Sequence, residues 1–158
     1  MSPDKDVHLY MQRAIELARE AAAAGEVPVG CVIVQDGIIL AEGRNNRENS
    51  QMATGHAELI AIEAASRKIQ SWRLCDADLY VTLEPCLMCS GAILQARIRH
   101  LFFGAYDPKS GMAGSVANVF DLPSNHRVEL TGGILQEECA QLLRDFFFVR
   151  RNNCETAK

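Results

Sequence analysis

The residue types best suited to chemistry in this sequence are two cysteines, a histidine and a glutamate. Cys86 and Cys89 stand three positions apart, so both sulfurs can lie on one side of a single helical turn. His56 can supply a third ligand from an earlier part of the chain. Tetrahedral zinc favours such ligands, and three protein ligands leave a fourth position open for water. The set therefore predicts a catalytic zinc site.

Glu58 follows His56 by two positions and could handle the proton of that water. Residues two apart on a regular helix point to different sides. His56 and Glu58 can therefore share a site only if His56 lies at the irregular entry to a helix, and Gly55 just before it favours such an entry. A carboxylate in a first helical turn also stabilises the helix dipole, so that second role for Glu58 stays open.

These parts suit the hydrolytic removal of an amine from a heterocycle. Zinc lowers the pKa of bound water, so that hydroxide is available near neutral pH. A carboxylate within hydrogen-bond reach can assist the attack of this zinc-bound hydroxide and pass the proton to a leaving group. The pattern His-x-Glu followed by Pro-Cys-x-x-Cys is the signature of zinc deaminases, whereas a Cys-x-x-Cys pair alone also occurs in redox and structural zinc sites.

Length and composition limit the function classes. Residues 1–158 are predicted to form one domain with a frayed tail over about 152–158. The apolar fraction of 48% and the charged fraction of 23% are typical of globular proteins. No membrane-length apolar run and no secretory signal is evident, so a cytoplasmic location is expected. A net charge of −4 argues against nonspecific coating of nucleic acid but allows a local basic patch.

Hydrophobic periodicity predicts the helices and strands that carry these residues. Predicted helices cover 4–24, 57–70, 85–96 and 135–151, and predicted strands cover 29–34, 38–43, 79–83, 100–105 and 128–130. Pro85 is expected in the first turn of its helix. Asp36-Gly37 is a hairpin signal, and the polar stretch 43–55 is predicted to be a loop that delivers Asn45. The alternation of strands and helices predicts a three-layer α/β/α domain, whose opening hairpin makes the sheet mixed.

Several longer segments narrow the family. They are Gly25-Glu-Val-Pro-Val-Gly30, Gly55-His-Ala-Glu58, Thr82-Leu-Glu-Pro-Cys-Leu-Met-Cys-Ser-Gly-Ala92, Phe103-Gly-Ala-Tyr-Asp-Pro-Lys-Ser-Gly111 and Asn125-His-Arg-Val, with Asp145-Phe-Phe and Arg150-Arg151 near the end. In order and spacing they resemble the bacterial tRNA-specific adenosine deaminases of the cytidine deaminase superfamily. The resemblance covers nearly the whole chain, about residues 5–152.

The resemblance implies a function for each part of the site. One zinc ion per chain would be bound by His56, Cys86 and Cys89, and Glu58 would carry the proton. The reaction implied is conversion of adenosine to inosine at the anticodon wobble position of a tRNA, chiefly the arginine one. The fold implied is cytidine-deaminase-like, with a five-stranded mixed sheet between helices, and the partners implied are the tRNA anticodon stem-loop and a second copy in a homodimer.

The resemblance also implies residues that bind the target nucleotide. Asn45 would hydrogen-bond it, Pro28 and Val29 would form an apolar wall with Ala57 nearby, and Asp107 would contact the sugar at the mouth of the pocket. A side-chain amide can read a purine edge, but asparagine is also a common turn residue. Tyr106 beside Asp107 differs from a basic residue found in some family members, so the resemblance assigns it no role.

The last predicted helix combines aromatic and basic residues. Phe146, Phe147 and Phe148 are consecutive, so they cannot all face one core. At least one is expected to meet solvent, a partner chain or a nucleobase, and Phe147 is the candidate for binding substrate. Arg150, with the arginines at 144 and 151, gives a local positive patch that suits RNA. Core aromatics beside a solvated face are an equally open interpretation for any single one of these residues.

Two other functions stay open from the residues alone. The same zinc chemistry could serve a deaminase of free cytidine, cytosine or guanine. A noncatalytic module with structural zinc would need a fourth ligand, for which Cys75 or His100 could be nominated. Without an export signal, the six cysteines favour metal binding or burial over disulfides, and the pattern assigns no function to Cys31, Cys75, Cys139 or Cys154.

Overall fold

Five strands form one mixed sheet at the centre of the fold. In the computed structural model, which describes residues 3–156, the strands are β1 (Gly30–Gln35), β2 (Ile38–Arg44), β3 (Ala77–Leu83), β4 (His100–Ala105) and β5 (Glu129–Thr131). Their order across the sheet is β2-β1-β3-β4-β5. β1 is antiparallel to both of its neighbours, and β3, β4 and β5 run parallel. The predicted mixed sheet is confirmed.

The β1–β2 hairpin follows directly from its turn residues. Asp36 and Gly37 both have positive φ, at 54° and 74°. Two consecutive positive φ angles match the twist of the flanking strands, and the Asp-Gly dipeptide adopts them readily. The turn therefore fixes the pairing of Gln35 with Ile38, and a bulge between Ile33 and Val34 then shifts the register so that Gly30 lies opposite Arg44.

Helices cover both faces of this sheet. They are α1 (Pro3–Ala23), α2 (Arg47–Ser50), α3 (Ala57–Ile69), α4 (Leu87–Gln95) and α5 (Gln136–Thr156), with a 3-10 turn at Val119–Asp121. Alternate residues of β1 point to opposite layers, because side chains along a strand alternate in direction. Cys31 and Ile33 pack with α3 and α4, whereas Val32 and Val34 pack with α1 and α5. The predicted α/β/α layering is confirmed.

The structure differs from the predicted elements in three places. The stretch 43–55 contains the short helix α2. Pro85 lies before α4 rather than in its first turn, because Cys86 is the residue that caps this helix. The last helix continues past the predicted end at 151 to Thr156, and residues 157 and 158 lie outside the described part of the chain. Among the described residues, no helix has the length and apolarity needed to cross a bilayer.

Candidate metal and catalytic site

Two helix N-termini bring the histidine and both cysteines together. His56 caps α3 and Cys86 caps α4, while Cys89 is buried in the first turn of α4. The Nδ1 atom of His56 lies 3.7 Å from Sγ of Cys86 and 3.4 Å from Sγ of Cys89. All three ligand atoms lie within 4.8 Å of one another. Among the residues whose side chains the structure describes, 6–153, no other group of histidine, cysteine and acidic side chains comes together in this way.

The geometry and the charge of this group fit a tetrahedral zinc ion. Zinc bonds of about 2.1 Å to nitrogen and 2.3 Å to sulfur place those two ligand atoms about 3.5 Å apart, which matches the observed separations. A hydrogen bond from Cys89 lowers the pKa of the Cys86 thiol to about 4. The helix dipole of α4 acts in the same direction, so a thiolate, the form that binds metal, is favoured here.

The two nominated fourth ligands do not belong to this group. Cys75 is exposed before the start of β3, and His100 begins β4 with its Nε2 atom 2.8 Å from Oγ1 of Thr131. Both lie at the opposite end of the sheet from the site, about 20 Å away along the length of β3 at the usual strand rise. The nomination of Cys75 or His100 is therefore wrong. A metal held by these three side chains alone would keep the open position that catalysis needs.

Glu58 is buried beside this candidate metal group. His56 has an extended backbone, with φ −90° and ψ 146°, so its ring leaves the helix axis and can share a cleft with Glu58. The side chain of Glu58 is only 4% exposed, and this burial raises the pKa of its carboxyl group. The required irregular entry to the helix is present, and the carboxyl group is placed where it can gain and lose a proton.

Close packing of α3 on the hairpin holds this entry in place. Gly43 of β2 faces the first turns of α3, and an added Cβ would overlap the carbonyl oxygen of Ala57 and lie 2.9 Å from the amide nitrogen of Ala61. A glycine is therefore required for the backbones to approach this closely. The contact sets the depth of His56 and Glu58 relative to the sheet.

A cleft of about 850 Å³ opens over the site. Five of the predicted substrate-binding residues line it, namely Val29, Asn45, Ala57, Asp107 and Phe147. Pro28 and Arg150 are not among the lining residues. The guanidinium of Arg150 instead lies 5.2 Å from the ring centre of Phe146. Arg151, one position further along the helix, is the arginine that faces the cleft.

One wall of the cleft is the loop that carries Asn45. Its side-chain nitrogen donates to the carbonyl oxygen of Val27 at 3.3 Å, and its side-chain oxygen accepts from the amide of Arg47 at 3.2 Å. Asn45 therefore shapes the turn as well as lining the cleft. Beneath it, the buried carboxylate of Glu26 accepts from the amides of Glu48 and Asn49 at 2.9 and 2.8 Å. Burial raises the pKa of Glu26, but these hydrogen bonds lower it by a larger amount. The net pKa is below its usual value, so the carboxylate is ionised.

The opposite wall is the loop after β4. Asp107 folds this loop locally, because one of its carboxylate oxygens accepts from the amides of Lys109 and Ser110 at 3.0 and 3.1 Å. Tyr106 is 47% exposed in the cleft and contacts Phe103 edge-on. Tyr106 therefore presents an aromatic face beside Asp107, a position that the sequence alone does not assign.

The rim of the cleft is basic and aromatic. Four cationic side chains line it, from three separate elements: Arg47, Lys109, Arg144 and Arg151. Phe147 lines it too and is 44% exposed, and Phe148 is 60% exposed. The prediction that at least one of the consecutive phenylalanines leaves the core is confirmed. Arg47 and Lys109 are absent from the sequence prediction, since an isolated basic residue in a polar loop carries no distinctive signal.

Comparisons with known proteins agree with this architecture. The family model described as MafB19-like deaminase matches residues 5–151. A tRNA-specific adenosine deaminase of Bacillus subtilis is 43% identical over 151 residues, which cover 95% of this chain and 94% of that protein. A tRNA-specific adenosine deaminase of Haemophilus influenzae is 48% identical over 150 residues, which cover 94% of this chain and 87% of that protein.

A solved structure from work on A-to-I editing by tRNA:A34 deaminases at the wobble position of transfer RNA is also similar. It superposes with a TM-score of 0.81 at 41% identity. The match covers 85% of this chain and 98% of that one. The similarity therefore extends over the sheet, the helices and both walls of the cleft.

Proposed function

Because this chain belongs to the MafB19-like deaminase family and, within it, to the tRNA-specific adenosine deaminases, we propose that it converts adenosine to inosine at the anticodon wobble position of tRNA, chiefly arginine tRNA. The chain is a hydrolytic deaminase. The observation that carries the proposal is the position of Glu58 beside His56, Cys86 and Cys89, at the bottom of a cleft with a basic rim. A cytoplasmic location follows from the proposed substrate.

We propose zinc as the cofactor, held by the imidazole of His56 and the thiolates of Cys86 and Cys89. When bound, zinc supplies the Lewis acidity that makes water a nucleophile near neutral pH. Glu58 accepts the first proton of the attacking water and delivers it to the ring nitrogen. It then accepts the second proton, from the new hydroxyl on carbon 6 as this becomes a carbonyl, and delivers it to the departing amine. A bond from water oxygen to carbon 6 forms, the bond from carbon 6 to the amine breaks, and ammonia leaves.

The cleft supports RNA as the substrate over a free base. The target base must leave its stack to reach the metal group, which is easier in an anticodon loop than in a duplex. Phe147 and Tyr106 offer aromatic surfaces on which neighbouring bases can stack, and Arg47, Lys109 and Arg151 can meet phosphates on either side. Asn45, Val29, Ala57 and Asp107 surround the space for the target nucleotide, with Pro28 supporting the apolar wall.

The substrate class is tested by measuring inosine in an anticodon stem-loop of arginine tRNA with adenosine at the wobble position. Free adenosine, cytidine, cytosine and guanine are assayed beside it, with Glu58→Ala protein as the blank. We expect inosine in the stem-loop alone. Turnover of a free nucleoside or base with an inert stem-loop would instead support the alternative, a zinc deaminase of small molecules.

Removing the charges of Arg150 and Arg151 together is expected to weaken stem-loop binding. Each arginine that contacts a phosphate releases counterions, so its loss reduces the slope of log affinity against log salt by about 0.7. Affinity falls about fivefold for each lost contact worth about 1 kcal/mol. Because only Arg151 lines the cleft, we expect a slope change near that of one contact. Binding is measured by fluorescence anisotropy between low and moderate salt.

The matched control is Arg67→Ala with Lys68→Ala, which removes the same charge from the last turn of α3, at the opposite end from the site. This control should leave the slope unchanged. An unchanged slope in the Arg150 and Arg151 double variant would show that the end of α5 does not meet the RNA.

We also propose that the protein forms a homodimer. Leu87 is 61% exposed and Met88 is 37% exposed at the start of α4, next to the cysteine ligands. Exposed apolar side chains beside a functional site often mark an interface. Sedimentation equilibrium is expected to give the mass of two chains, and the mass of a single chain would contradict this proposal.

A further inference from the structure

Glu84 is a buried carboxylate to which the proposed chemistry assigns no role. It lies at the end of β3 and is 2% exposed. One carboxylate oxygen accepts from the amide of Asp107 at 3.0 Å and from the hydroxyl of Ser115 at 2.5 Å. The other accepts from the amides of Ala113 and Ser115 at 3.0 and 3.1 Å. All four donors belong to the loop of residues 107–115, which we term the rim loop.

The rim loop supplies one wall of the substrate cleft. Asp107, Pro108, Lys109 and Ser110 all line the cleft, although the donors that bind Glu84 lie mainly at the other end of the loop. The loop consists mostly of turns, and its backbone is held by bonds such as that from the amide of Gly111 to the carbonyl oxygen of Asp107 at 2.9 Å, and by a bridge between Ala113 and Asn118. The carboxylate therefore accepts hydrogen bonds from both ends of the loop and holds the two ends close together.

Glu84 also connects the rim loop to the metal group. It precedes Cys86 by two residues, and the carbonyl oxygen of the intervening Pro85 accepts from the amide of Met112 at 3.0 Å. The amide of Glu84 itself donates to the carbonyl oxygen of Ala105 at 2.9 Å. The three residues Glu84, Pro85 and Cys86 thus connect a proposed metal ligand directly to the rim loop.

The packing around the carboxylate is tight. A Cβ added to Gly111 would lie 2.5 Å from both carboxylate oxygens of Glu84, closer than real Cβ contacts occur. The backbone of the loop at Gly111 therefore packs directly against the carboxylate, and no space is left for a side chain. This close approach requires glycine at position 111.

We propose that Glu84 is a positioning residue that fixes the rim loop relative to the metal ligands and so sets the width of the substrate cleft. The width matters for the RNA substrate, and this part of the inference rests on the proposed function. Displacement of a cleft wall by about 1 Å can cost about a hundredfold in rate. Glu84 also lines the cleft, and the role proposed here is exerted through Asp107, Lys109 and Ser110.

The test is Glu84→Gln in the zinc-loaded protein. The amide has the same shape, but in either orientation its NH₂ group faces a backbone N–H that needs an acceptor. The rim loop should then open more often. Cleavage of the Lys109–Ser110 bond by trypsin, followed by mass spectrometry, should accelerate about tenfold or more, which corresponds to one lost charge-assisted hydrogen bond. Cleavage between Arg67 and Lys68 is the internal reference and should not change.

The same variant should raise KM for the stem-loop about tenfold while zinc content stays at the parent level, because the rim loop binds substrate and holds no metal ligand. Ser115→Ala removes one donor from an exposed residue and should change both readouts in the same direction by a smaller factor. Glu42→Gln, in a carboxylate that pairs with Arg13 away from the rim loop, is the matched control and should change neither.

Each result decides the proposal. Faster cleavage at Lys109 together with a raised KM supports it. Unchanged cleavage, or faster cleavage with unchanged KM, overturns it. If the glutamine variant does not fold, Ser115→Ala decides by the same two readouts. If the parent protein deaminates no stem-loop, the proposed function fails on its own, and the trypsin result still shows whether Glu84 anchors the rim loop.

Discussion

Replacing Glu58 by alanine is expected to abolish deamination while zinc stays bound. The carboxyl group lies beside the metal ligands but is not one of them, so its removal leaves the imidazole and both thiolates in place. General acid-base catalysis contributes up to about 10⁴-fold, and Glu58 is the carboxyl group placed to carry each proton transfer. We therefore expect kcat to fall about 10⁴-fold, measured as inosine formed in the stem-loop, with zinc measured by mass spectrometry on the same samples.

Two further variants sharpen this experiment. Glu58→Gln keeps the shape of the side chain but cannot accept the proton, so it should be as inactive as the alanine variant. Glu63→Ala removes a carboxylate from the exposed face of the same helix, where it pairs with Arg67, and should leave turnover unchanged. Turnover retained in either Glu58 variant would overturn the assignment of the proton carrier, and loss of zinc would make Glu58 part of the metal site.

Removing one thiolate is the second change with a large expected effect. Cys89 is fully buried in the first turn of α4, and Cys89→Ala leaves two ligands where catalytic zinc needs three from the protein. We expect the purified variant to contain no zinc and to have no measurable activity. Ligand binding stabilises the folded state by about 4 kcal/mol when the free ligand exceeds its Kd a thousandfold, so the unfolding temperature should fall as well.

A chelator and a second cysteine control for side effects of this substitution. Dipicolinate treatment of the parent protein should remove zinc and activity together, and added zinc should restore both in the parent but not in Cys89→Ala. Cys75→Ala changes an exposed cysteine outside the site and should keep zinc, activity and stability. Full activity of the chelated, zinc-free parent would contradict the proposed role of the metal.

Much of the fold follows from signals that lie close together in the sequence. Asp36-Gly37 predicts the hairpin because a two-residue turn is a local structure, and the periodicity of α1 and α3 predicts helices because each buries one stripe. The Cys86 and Cys89 spacing predicts a shared metal ion for the same reason. His56 adds a longer-range ligand, which the sequence predicts through the neighbouring Glu58 and Gly55.

Other features depend on which distant segments meet, and only the tertiary structure decides them. Cys75 and His100 look as suitable as ligands in the sequence, but they lie at the wrong end of the sheet. Arg151 rather than Arg150 faces the cleft, because one helical position turns a side chain by about 100°. The rotation of α5 therefore decides which of its arginines belong to the basic rim.

The buried carboxylates of Glu26 and Glu84 show most clearly what the sequence predicts and what only the tertiary structure decides. Glu26 binds amides 22 and 23 residues away, and Glu84 binds amides 23 to 31 residues away. Every residue except proline carries a backbone N–H, so the sequence gives no indication of which ones will converge on a carboxylate. The sequence by itself predicted the candidate metal group, the candidate proton carrier and the layered sheet, and of these the sheet is confirmed. Only the fold decided how the two walls of the cleft are held around them, because that depends on backbone groups that all sequences share.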